Sequence, residues 1–189
     1  MKIHLEKKAI RALGIAECFR KSVSEKSVLA GVVIRSDLIM DGCIYGHATL
    51  EGDDATENIL SMYKSLNRND INVIMIAGSV IALYNIIDSD ELHKETKVPV
   101  LNITFEESEG LGSHIKNRFP KGWKSKLKAY KKIGDRKNIN LHTGYRVFVR
   151  AVGMSQKEAK RTLDKYTIQG SIPEPVRIAK LLARARFAT

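Results

Sequence analysis

The sequence predicts an α/β fold in which a mixed sheet is flanked by helices. Three strand patterns with short connections come first, at residues 10–17, 27–35 and 38–50. Strand and helix patterns then alternate, and one later strand is apolar along its whole length, as expected for a strand covered by helices on both faces. At 189 residues the chain is long enough for one domain with a substantial core.

The first three strands are predicted to form an antiparallel meander. Residues 10–17 are rich in apolar and β-branched side chains, and residues 27–35 read SVLAGVVIR. The third strand, at 38–50, contains Gly42 and Gly46, at which we expect bulges or bends. The connections are short enough for hairpins, so neighbouring strands should pair in sequence order.

The hydrophobic period changes after the third strand. One helix stripe is formed by Ala55, Ile59, Met62, Tyr63 and Leu66. Residues 71–77 (INVIMIA) predict a buried fourth strand, and we expect a helical stretch from there to about Glu95. Residues 98–104 predict a fifth strand.

The last third of the chain adds one strand and two helices. Residues 145–152 (YRVFVRAV) alternate between apolar and polar side chains and predict a late strand. Ser155 and Glu158 have the spacing of a capping box, which would open a helix reaching about residue 166. A final helix is expected to begin near Pro173.

Composition and local patterns indicate a cytoplasmic protein outside the membrane. The uncharged segment 71–87 is interrupted by polar residues and by a Gly-Ser pair, so we expect a strand and a helix start there. Cys18 and Cys43 are far apart and form no C-x-x-C pair, which argues against a disulfide framework or a zinc site. The first 15 residues do not have the pattern of a secretory signal. No nucleotide-cofactor motif is present.

Nearly all of the excess positive charge lies in one segment, residues 116–137, here called the basic segment. The formal charge of the chain is +11, and ten basic residues in this segment stand against Asp135 alone. Such a segment can displace counterions from a phosphate backbone, and its aromatic side chains can stack on bases. The predicted nucleic-acid contacts are Lys121, Trp123, Lys124, Lys126, Lys128, Tyr130, Lys131, Lys132, Arg136 and Lys137. The alternative is a solvated helix face.

Four acidic side chains fall within seven residues where the third strand gives way to a helix. They are Glu51, Asp53, Asp54 and Glu57. Carboxylates at such a junction can hold a divalent cation, which in turn can bridge to a phosphodiester. The alternative is structural, because Asp54 and Glu57 have capping-box spacing and acids suit the positive end of a helix.

The predicted order is three strands, helix, strand, helix, strand and further helices, which is the order of the ribonuclease H-like architecture. In that architecture the first and fourth strands are parallel neighbours, so their carboxyl ends open onto one crevice where a ligand is expected. The start of the helix after the third strand borders the same crevice. This placement brings residues 51–54 into range of the strand tips.

Several segments resemble an archaeal family of endonuclease V relatives, called endonuclease dU. Residues 13–15 (LGI) are similar to the family's opening strand, and residues 51–56 (EGDDAT) to its D-G-x-D-A-T signature. Gly78, Asn85 and Asp88 fit the pattern D-G-…-F-N-…-D after the fourth strand, and residues 98–100 (VPV) fit the next strand. Residues 172–179 (IPEPVRIA) resemble the closing I-P-E-P-L-R-x-A motif, which is the most specific of these.

The resemblance implies a metal-dependent endonuclease acting at deaminated bases such as uracil or hypoxanthine, with a role in DNA repair. Two or three carboxylates would hold Mg²⁺ or Mn²⁺ and activate a water. A damaged base would be flipped into a pocket. The resemblance also implies an endonuclease V-like mixed five-stranded sheet with an extra C-terminal strand and helices. We expect one domain over residues 1–189, with the basic segment as an insertion and DNA rather than RNA as partner.

The sequence departs from the family pattern at two strand tips. The pattern has two successive acids after residue 15, where this chain has Ala16 and Glu17, and an acid before Gly78, where it has Ala77. Alanine cannot coordinate a cation. Because successive strand residues point to opposite faces, Glu17 replaces the lost ligand only if the strand bends or ends there.

Three functions follow from these observations. The first is an active endonuclease with Glu17, Glu51 and Asp54 as catalytic residues, the metal held by Glu17 and Asp54. Asn85 and Asp88 would support that site or brace the helix after the fourth strand. The second function is a nucleic-acid-binding protein without catalysis. The third is a protein whose basic segment contacts acidic partner proteins.

Overall fold

The fold is built on a seven-stranded sheet in the order β3-β2-β1-β4-β7-β9-β8, beside a two-stranded β5-β6 hairpin. The structure is a computed structural model that describes residues 10–21, 23–107 and 110–188. The prediction that the first 15 residues are not a secretory signal therefore concerns a segment that lies mostly outside the described residues. The strands are β1 (Arg11–Cys18), β2 (Lys26–Arg35), β3 (Met40–Thr49), β4 (Ile71–Ala77), β5 (Val80–Ile81), β6 (Asn85–Ile86), β7 (Val100–Thr104), β8 (Lys137–Asn140) and β9 (Arg146–Val152). The helices are α1 (Ala55–Ser65), α2 (Ser89–Thr96), α3 (Gly112–Arg118), α4 (Trp123–Lys132), α5 (Gln156–Tyr166) and α6 (Glu174–Ala188).

The predicted meander is present, since β2 pairs antiparallel with both β1 and β3. A register shift on β3 leaves Asp41 as the extra residue, one position from Gly42, where a bulge was expected. At Gly46 the pairing with Leu29 is regular, so no bulge lies there. A Cβ at Gly46 would approach the Met62 sulfur to 2.6 Å, so this glycine makes room for α1.

The central strands β1 and β4 are parallel neighbours, as the sequence predicted. Ile15 pairs with Ile76, so Ala16 and Ala77 lie one residue further on, at the tips. Alternate residues of each strand face different cores: Met75 packs into one apolar cluster, and Ile74 into the other. Burial on both faces explains the uninterrupted apolar run of β4.

Helix α6 crosses β1 at a very short distance. A Cβ at Gly14 would lie 2.1 Å from the carbonyl carbon of Pro175, so only glycine permits this approach. Glu174 is buried and accepts hydrogen bonds from Arg177 at 2.6 to 3.0 Å. The capping box predicted at the start of α5 is also present, with Ser155 as the N-cap.

The prediction of a helix directly after β4 is wrong for residues 78–87. These residues contain the β5–β6 hairpin instead. Its connecting residues Ala82, Leu83 and Tyr84 all have positive φ, at 44°, 50° and 67°. Such φ values cost non-glycine residues roughly 1 kcal/mol each, so other contacts must hold the loop. Helix α2 begins only at Ser89, and Asp88 caps it by accepting from the backbone N–H of Asp90 and Glu91. None of the described helices is long and apolar enough to cross a bilayer.

The sheet is wider than the predicted five strands with one C-terminal addition. Strand β9 was expected, but β8, at the end of the basic segment, was not. It pairs antiparallel with β9, and Ile139 opposite Val147 is its only buried residue. A four-residue strand with one buried side chain shows no alternation that a sequence pattern can detect. The remainder of the basic segment forms the end of α3, all of α4 and the two connections beside α4.

Candidate functional site

A cavity of about 390 Å³ opens where the tips of β1, β4 and β7 meet helix α6. The strands contribute Ala16, Glu17, Ala77 and Thr104 to its lining, and α6 contributes Lys180 and Arg184. This cavity, here called the crevice, is the one expected from the parallel pairing of β1 and β4. The tips of the two central strands carry Ala16 in β1 and Ala77 in β4. Neither alanine can act as an acid, a base or a metal ligand.

The carboxylate of Glu17 is not free to replace the missing acids, because it already accepts hydrogen bonds within the protein. Strand β1 continues through it to Cys18, and its carboxylate accepts from the Ala82 N–H at 2.9 and 3.0 Å and from the Ser27 hydroxyl at 2.6 Å. Burial raises the pKa of Glu17, although these hydrogen bonds act in the opposite direction. The contacts hold the left-handed loop of the β5–β6 hairpin against the tip of β1.

Asp54 is also saturated with internal donors. Its carboxylate accepts from the Thr49 N–H at 3.0 Å, the Thr49 hydroxyl at 2.7 Å and the Asn85 amide at 2.6 Å. Burial would raise its pKa, but the bonds from Thr49 and Asn85 outweigh burial and lower it. The capping box expected with Glu57 is wrong, because Asp54 makes no side-chain cap bond. Fully buried Asn85 serves instead, accepting from the Ala55 N–H at 3.0 Å.

Residues 51–54, here called the acidic turn, and the tip of β1 both contact the backbone of one residue, Ala82. Its N–H donates to Glu17, and its carbonyl accepts from the Glu51 N–H at 2.7 Å. The Glu51 side chain pairs with Arg118 of the basic segment at 2.6 Å. The structure therefore brings Glu17 and the acidic turn to the same loop, but each carboxylate has a different partner.

Lys126 is the one predicted nucleic-acid contact whose charged group lies inside the described protein. Its side chain is only 6% exposed. The ammonium donates to the carbonyls of Glu51, Gly52 and Tyr84 at 2.9 to 3.1 Å and to the Asp53 carboxylate at 2.7 Å. It also lies 4.9 Å from the centre of the Phe119 ring. In this position Lys126 holds α4 to the acidic turn and is not accessible to a phosphate.

Several other side chains of the basic segment contact the rest of the protein or one another, and most of its lysines also face solvent. Lys132 pairs with Asp88, and the Tyr130 hydroxyl accepts from the Leu111 N–H at 3.0 Å. Half-buried Trp123 has the ammonium groups of Lys116 and Lys124 within 6 Å of its ring centre. Lys132 is exposed although it is paired, and Lys121, Lys124, Lys128, Lys131 and Lys137 are exposed as well, whereas Arg136 is half-buried and lies over Phe148.

The residues at the crevice do not fit a resident Mg²⁺ or Mn²⁺ ion. Across the described ranges, no group of three or more Asp, Glu, His or Cys side chains could hold a metal. Ala16 and Ala77 offer no oxygen, and the carboxylates of Glu17 and Asp54 already accept two or three hydrogen bonds each. The metal-ligand and catalytic roles of Glu17, Glu51 and Asp54 stay predictions.

A second cavity, of about 740 Å³, lies between the loop after β4, the end of α4 and the strands β8 and β9. Its lining includes Tyr130, Phe148 and Lys131. Ser79 also lines it, and the Ser79 hydroxyl is buried with no hydrogen-bond partner among the described residues. Sequence reasoning missed Ser79, Lys180 and Arg184. The i, i+4 spacing of Lys180 and Arg184 on an amphipathic helix was the available signal for that pair.

Comparison with solved structures defines the class of fold. Human endonuclease V superposes with a TM-score of 0.64 at 16% identity, covering 95% of this chain and 85% of its own. Endonuclease V of Ciona intestinalis, solved with a 24mer DNA containing an inosine followed by a ribo-adenosine, gives 0.61 at 14% identity, covering 96% and 87%. The fold is therefore that of endonuclease V, a ribonuclease H-like α/β fold.

The sequence places the chain within a particular family of that class. The pattern of the family described as Endonuclease dU matches residues 8–187, so this chain belongs to the endonuclease dU family. It is 32% identical over 173 residues to a UPF0215 protein of Pyrobaculum aerophilum, covering 92% of both chains. It is similarly related to a protein of unknown function from Archaeoglobus fulgidus, whose crystal structure gives a TM-score of 0.81 at 25% identity, covering 95% of this chain and 99% of that one.

Proposed function

We propose that this chain is a nucleic-acid-binding member of the endonuclease dU family whose crevice does not hydrolyse the bound strand. The observation that carries this proposal is the pair of alanines, Ala16 and Ala77, at the adjacent tips of β1 and β4. Hydrolysis of a phosphodiester by a metal-activated water requires ligands that fix the ion beside the scissile phosphate. Two methyl groups at the central positions supply none.

The remaining acids near the crevice stabilise the fold through hydrogen bonds, and this structural role supports the same proposal. Glu17 holds the Ala82 loop, and Asp54 holds Thr49 and Asn85 at the start of α1. A cation at either carboxylate would compete with these bonds, each worth about 1.5–3 kcal/mol for a charged acceptor. Binding of a strand requires none of these changes, because the exposed lysines of the basic segment provide charge at the surface.

We propose DNA as the partner, with the second cavity accepting a base turned out of the strand. The aromatic rings of Tyr130 and Phe148 line this cavity and offer stacking surfaces for such a base. A deaminated base is easier to extrude because its pairing is weaker. The inosine-containing DNA in the Ciona endonuclease V structure supports this choice by fold analogy only.

We also retain an active endonuclease as a second candidate. The observation in its favour is that the Glu17 carboxylate and the Glu51 backbone N–H both bond to the backbone of Ala82, which brings the two residues to the same loop. In that case Glu17 and Asp54 would hold Mg²⁺ or Mn²⁺. Repair of deaminated DNA would then be the biological role. We propose a single domain in either case, and the free cysteines Cys18 and Cys43 support a cytoplasmic location.

The experiment that separates these candidates measures cleavage and binding on the same oligonucleotides. Strands containing uracil, hypoxanthine or only normal bases are incubated with the protein and Mn²⁺ or Mg²⁺, with Glu17→Gln as the control variant. We expect binding whose affinity falls steeply with salt, and no cleavage above that of the control. Metal-dependent cleavage that Glu17→Gln abolishes without lowering the unfolding temperature would establish the second candidate. Affinity that does not change with salt would argue against phosphate contacts and would leave the third function, contact with acidic partner proteins.

A further inference from the structure

The crevice combines neutral strand tips with two cations from one helix face. Lys180 and Arg184 are one helical turn apart in α6, and both line the cavity beside Ala16 and Ala77. Neither side chain forms an ion pair with a carboxylate of the described residues. The Lys180 ammonium lies 5.9 Å from the centre of the Phe105 ring, which also lines the crevice.

The charge in the crevice is therefore opposite to that of a metal site. A divalent cation requires anionic oxygen ligands, whereas the charged groups in the lining of this cavity are one ammonium, one guanidinium and one carboxylate. Glu17 is the single acid in the lining among the described residues, and its carboxylate already accepts from Ser27 and Ala82. The excess of positive charge favours an anion.

We propose that the crevice is a metal-free phosphate site in which Lys180 and Arg184 bind a phosphate group of a nucleic-acid strand. This proposal rests on the proposed function for its source of phosphate. A guanidinium offers two parallel N–H groups to phosphate oxygens, and an ammonium adds a compact point charge beside it. The two cations supply the charge that metal ions would otherwise supply, but they hold the phosphate without activating a water. The group bound is either an internal phosphodiester or a terminal phosphate.

The first test uses inorganic phosphate and the amide signals of the crevice in ¹⁵N NMR spectra. Phosphate should shift the signals of Ala16, Ala77 and Thr104 in the wild-type protein. The shifts should be absent in Lys180→Gln/Arg184→Gln. They should persist in Lys64→Gln/Lys157→Gln, which removes the same charge from exposed positions on α1 and α5. As a second variant, Ala77→Asp in the presence of EDTA keeps both cations and should also abolish the shifts, because it adds a carboxylate at the site.

The second test measures oligonucleotide binding by the same variants. Loss of one phosphate contact should lower affinity roughly tenfold and reduce the slope of log affinity against log salt by about 1. The control pair should change neither by as much. If removal of the 5′-phosphate reproduces the loss, the site binds a terminal phosphate. If one neutral methylphosphonate linkage reproduces it, the site binds an internal phosphodiester.

The outcomes separate this inference from the proposed function. The inference is overturned if phosphate leaves the crevice signals unmoved and the two double variants bind oligonucleotides equally well; salt-dependent binding by the wild type would still support the proposed function. Conversely, crevice shifts with phosphate and no oligonucleotide binding would refute the proposed function. They would leave a site for free phosphate.

Discussion

Lys126 shows how a single side chain joins the basic segment to the rest of the protein. Its ammonium replaces water with three carbonyls and one carboxylate, so the charge is fully hydrogen-bonded although the side chain is buried. A buried charge is tolerated only with partners of this kind. The acidic turn consequently has an internal cation, and its charge is partly neutralised before any ligand binds.

Replacing Lys126 by Met should therefore destabilise the protein. Methionine fills a similar volume but leaves the carbonyls of Glu51, Gly52 and Tyr84 without this donor. We expect a loss of about 2 kcal/mol in the free energy of unfolding, measured by equilibrium urea denaturation. Lys128→Met, on the exposed face of the same helix, is the matched control and should change stability little. Equal effects of the two substitutions would contradict the role assigned to Lys126.

Glu17 and Asp54 should give opposite pH dependences of stability. The folded pKa of Glu17 is raised above its ordinary value of 4.5, so the folded state holds the proton longer and stability falls as pH rises through that window. The folded pKa of Asp54 is below 3.8, so its contribution is present above that value and is lost as pH falls through the folded pKa.

The corresponding variants test both signs. Glu17→Gln should reduce the decline of stability above about pH 4.5, and Asp54→Asn should reduce the loss on acidification. Urea midpoints measured from about pH 3 to about pH 8 report both effects. If the two variants alter the pH profile in the same direction, either the burial assigned to Glu17 or the hydrogen bonds assigned to Asp54 are wrong.

At the level of elements, the contact between β1 and α6 depends on one missing side chain. Gly14→Ala would place a methyl group 2.1 Å from the Pro175 carbonyl carbon, and backbone atoms cannot rotate away. Overpacking of this kind costs about 1–3 kcal/mol or more. Gly42→Ala in β3 is the control, since its nearest neighbour would be 3.5 Å away at the end of the Arg68 side chain. A thermal-unfolding shift for Gly14→Ala no larger than that for Gly42→Ala would contradict this packing.

The elements that could be predicted from sequence are those whose signal is local. Strand β4 is a continuous apolar run, and the α5 capping box has both of its residues at fixed spacing. The β5–β6 hairpin could not be predicted, because Ala82, Leu83 and Tyr84 have no intrinsic preference for positive φ. That loop is held by Glu17, Glu51 and Lys126, which come from three distant parts of the chain.

The candidate site shows the same division between local and distant signals. The parallel pairing of β1 and β4, and the loss of acids at Ala16 and Ala77, followed from element order and motif resemblance. The partners of the acidic turn did not, because Arg118 and Lys126 reach it from residues more than 60 positions away. Charge counted along the sequence assigned Lys126 to a nucleic-acid surface, whereas the fold uses it as an internal ion-pair partner.

Over the whole molecule, the acidic turn is paired with internal cations, whereas other positive side chains remain exposed. The acidic turn is neutralised by Arg118 and Lys126, and Asp88 nearby by Lys132. In the part of the chain that the structure describes, Lys121, Lys128 and Lys131 face solvent and Lys180 and Arg184 line the crevice, so positive charge remains at the surface. A protein with this distribution attracts polyanions over distances comparable to the Debye length, about 10 Å at moderate salt. The crevice lies in the same field without an acid at its two central tips.

The last prediction is that restoring acids at those tips converts the crevice into a metal site. In Ala16→Asp/Ala77→Asp the new carboxylates lie on adjacent parallel strands about 4.8 Å apart, close enough to share one cation. Without metal they should repel one another and lower stability. Mn²⁺ should bind more tightly than to the wild type and should raise the unfolding temperature of the double variant alone, because only its folded state presents both ligands.

Calorimetric titration with Mn²⁺ and thermal unfolding with and without Mn²⁺ measure these two effects. The matched control is Ala129→Asp/Ala185→Asp, which adds two acids at exposed positions on α4 and α6. If the control gains as much Mn²⁺ affinity as the crevice variant, the effect arises from net charge. If neither variant gains affinity, the tips of β1 and β4 do not form the metal-binding part of this fold. A gain restricted to the crevice variant would mean that Ala16 and Ala77 keep the ion out, so that Lys180 and Arg184 face the bound strand without competition from a metal.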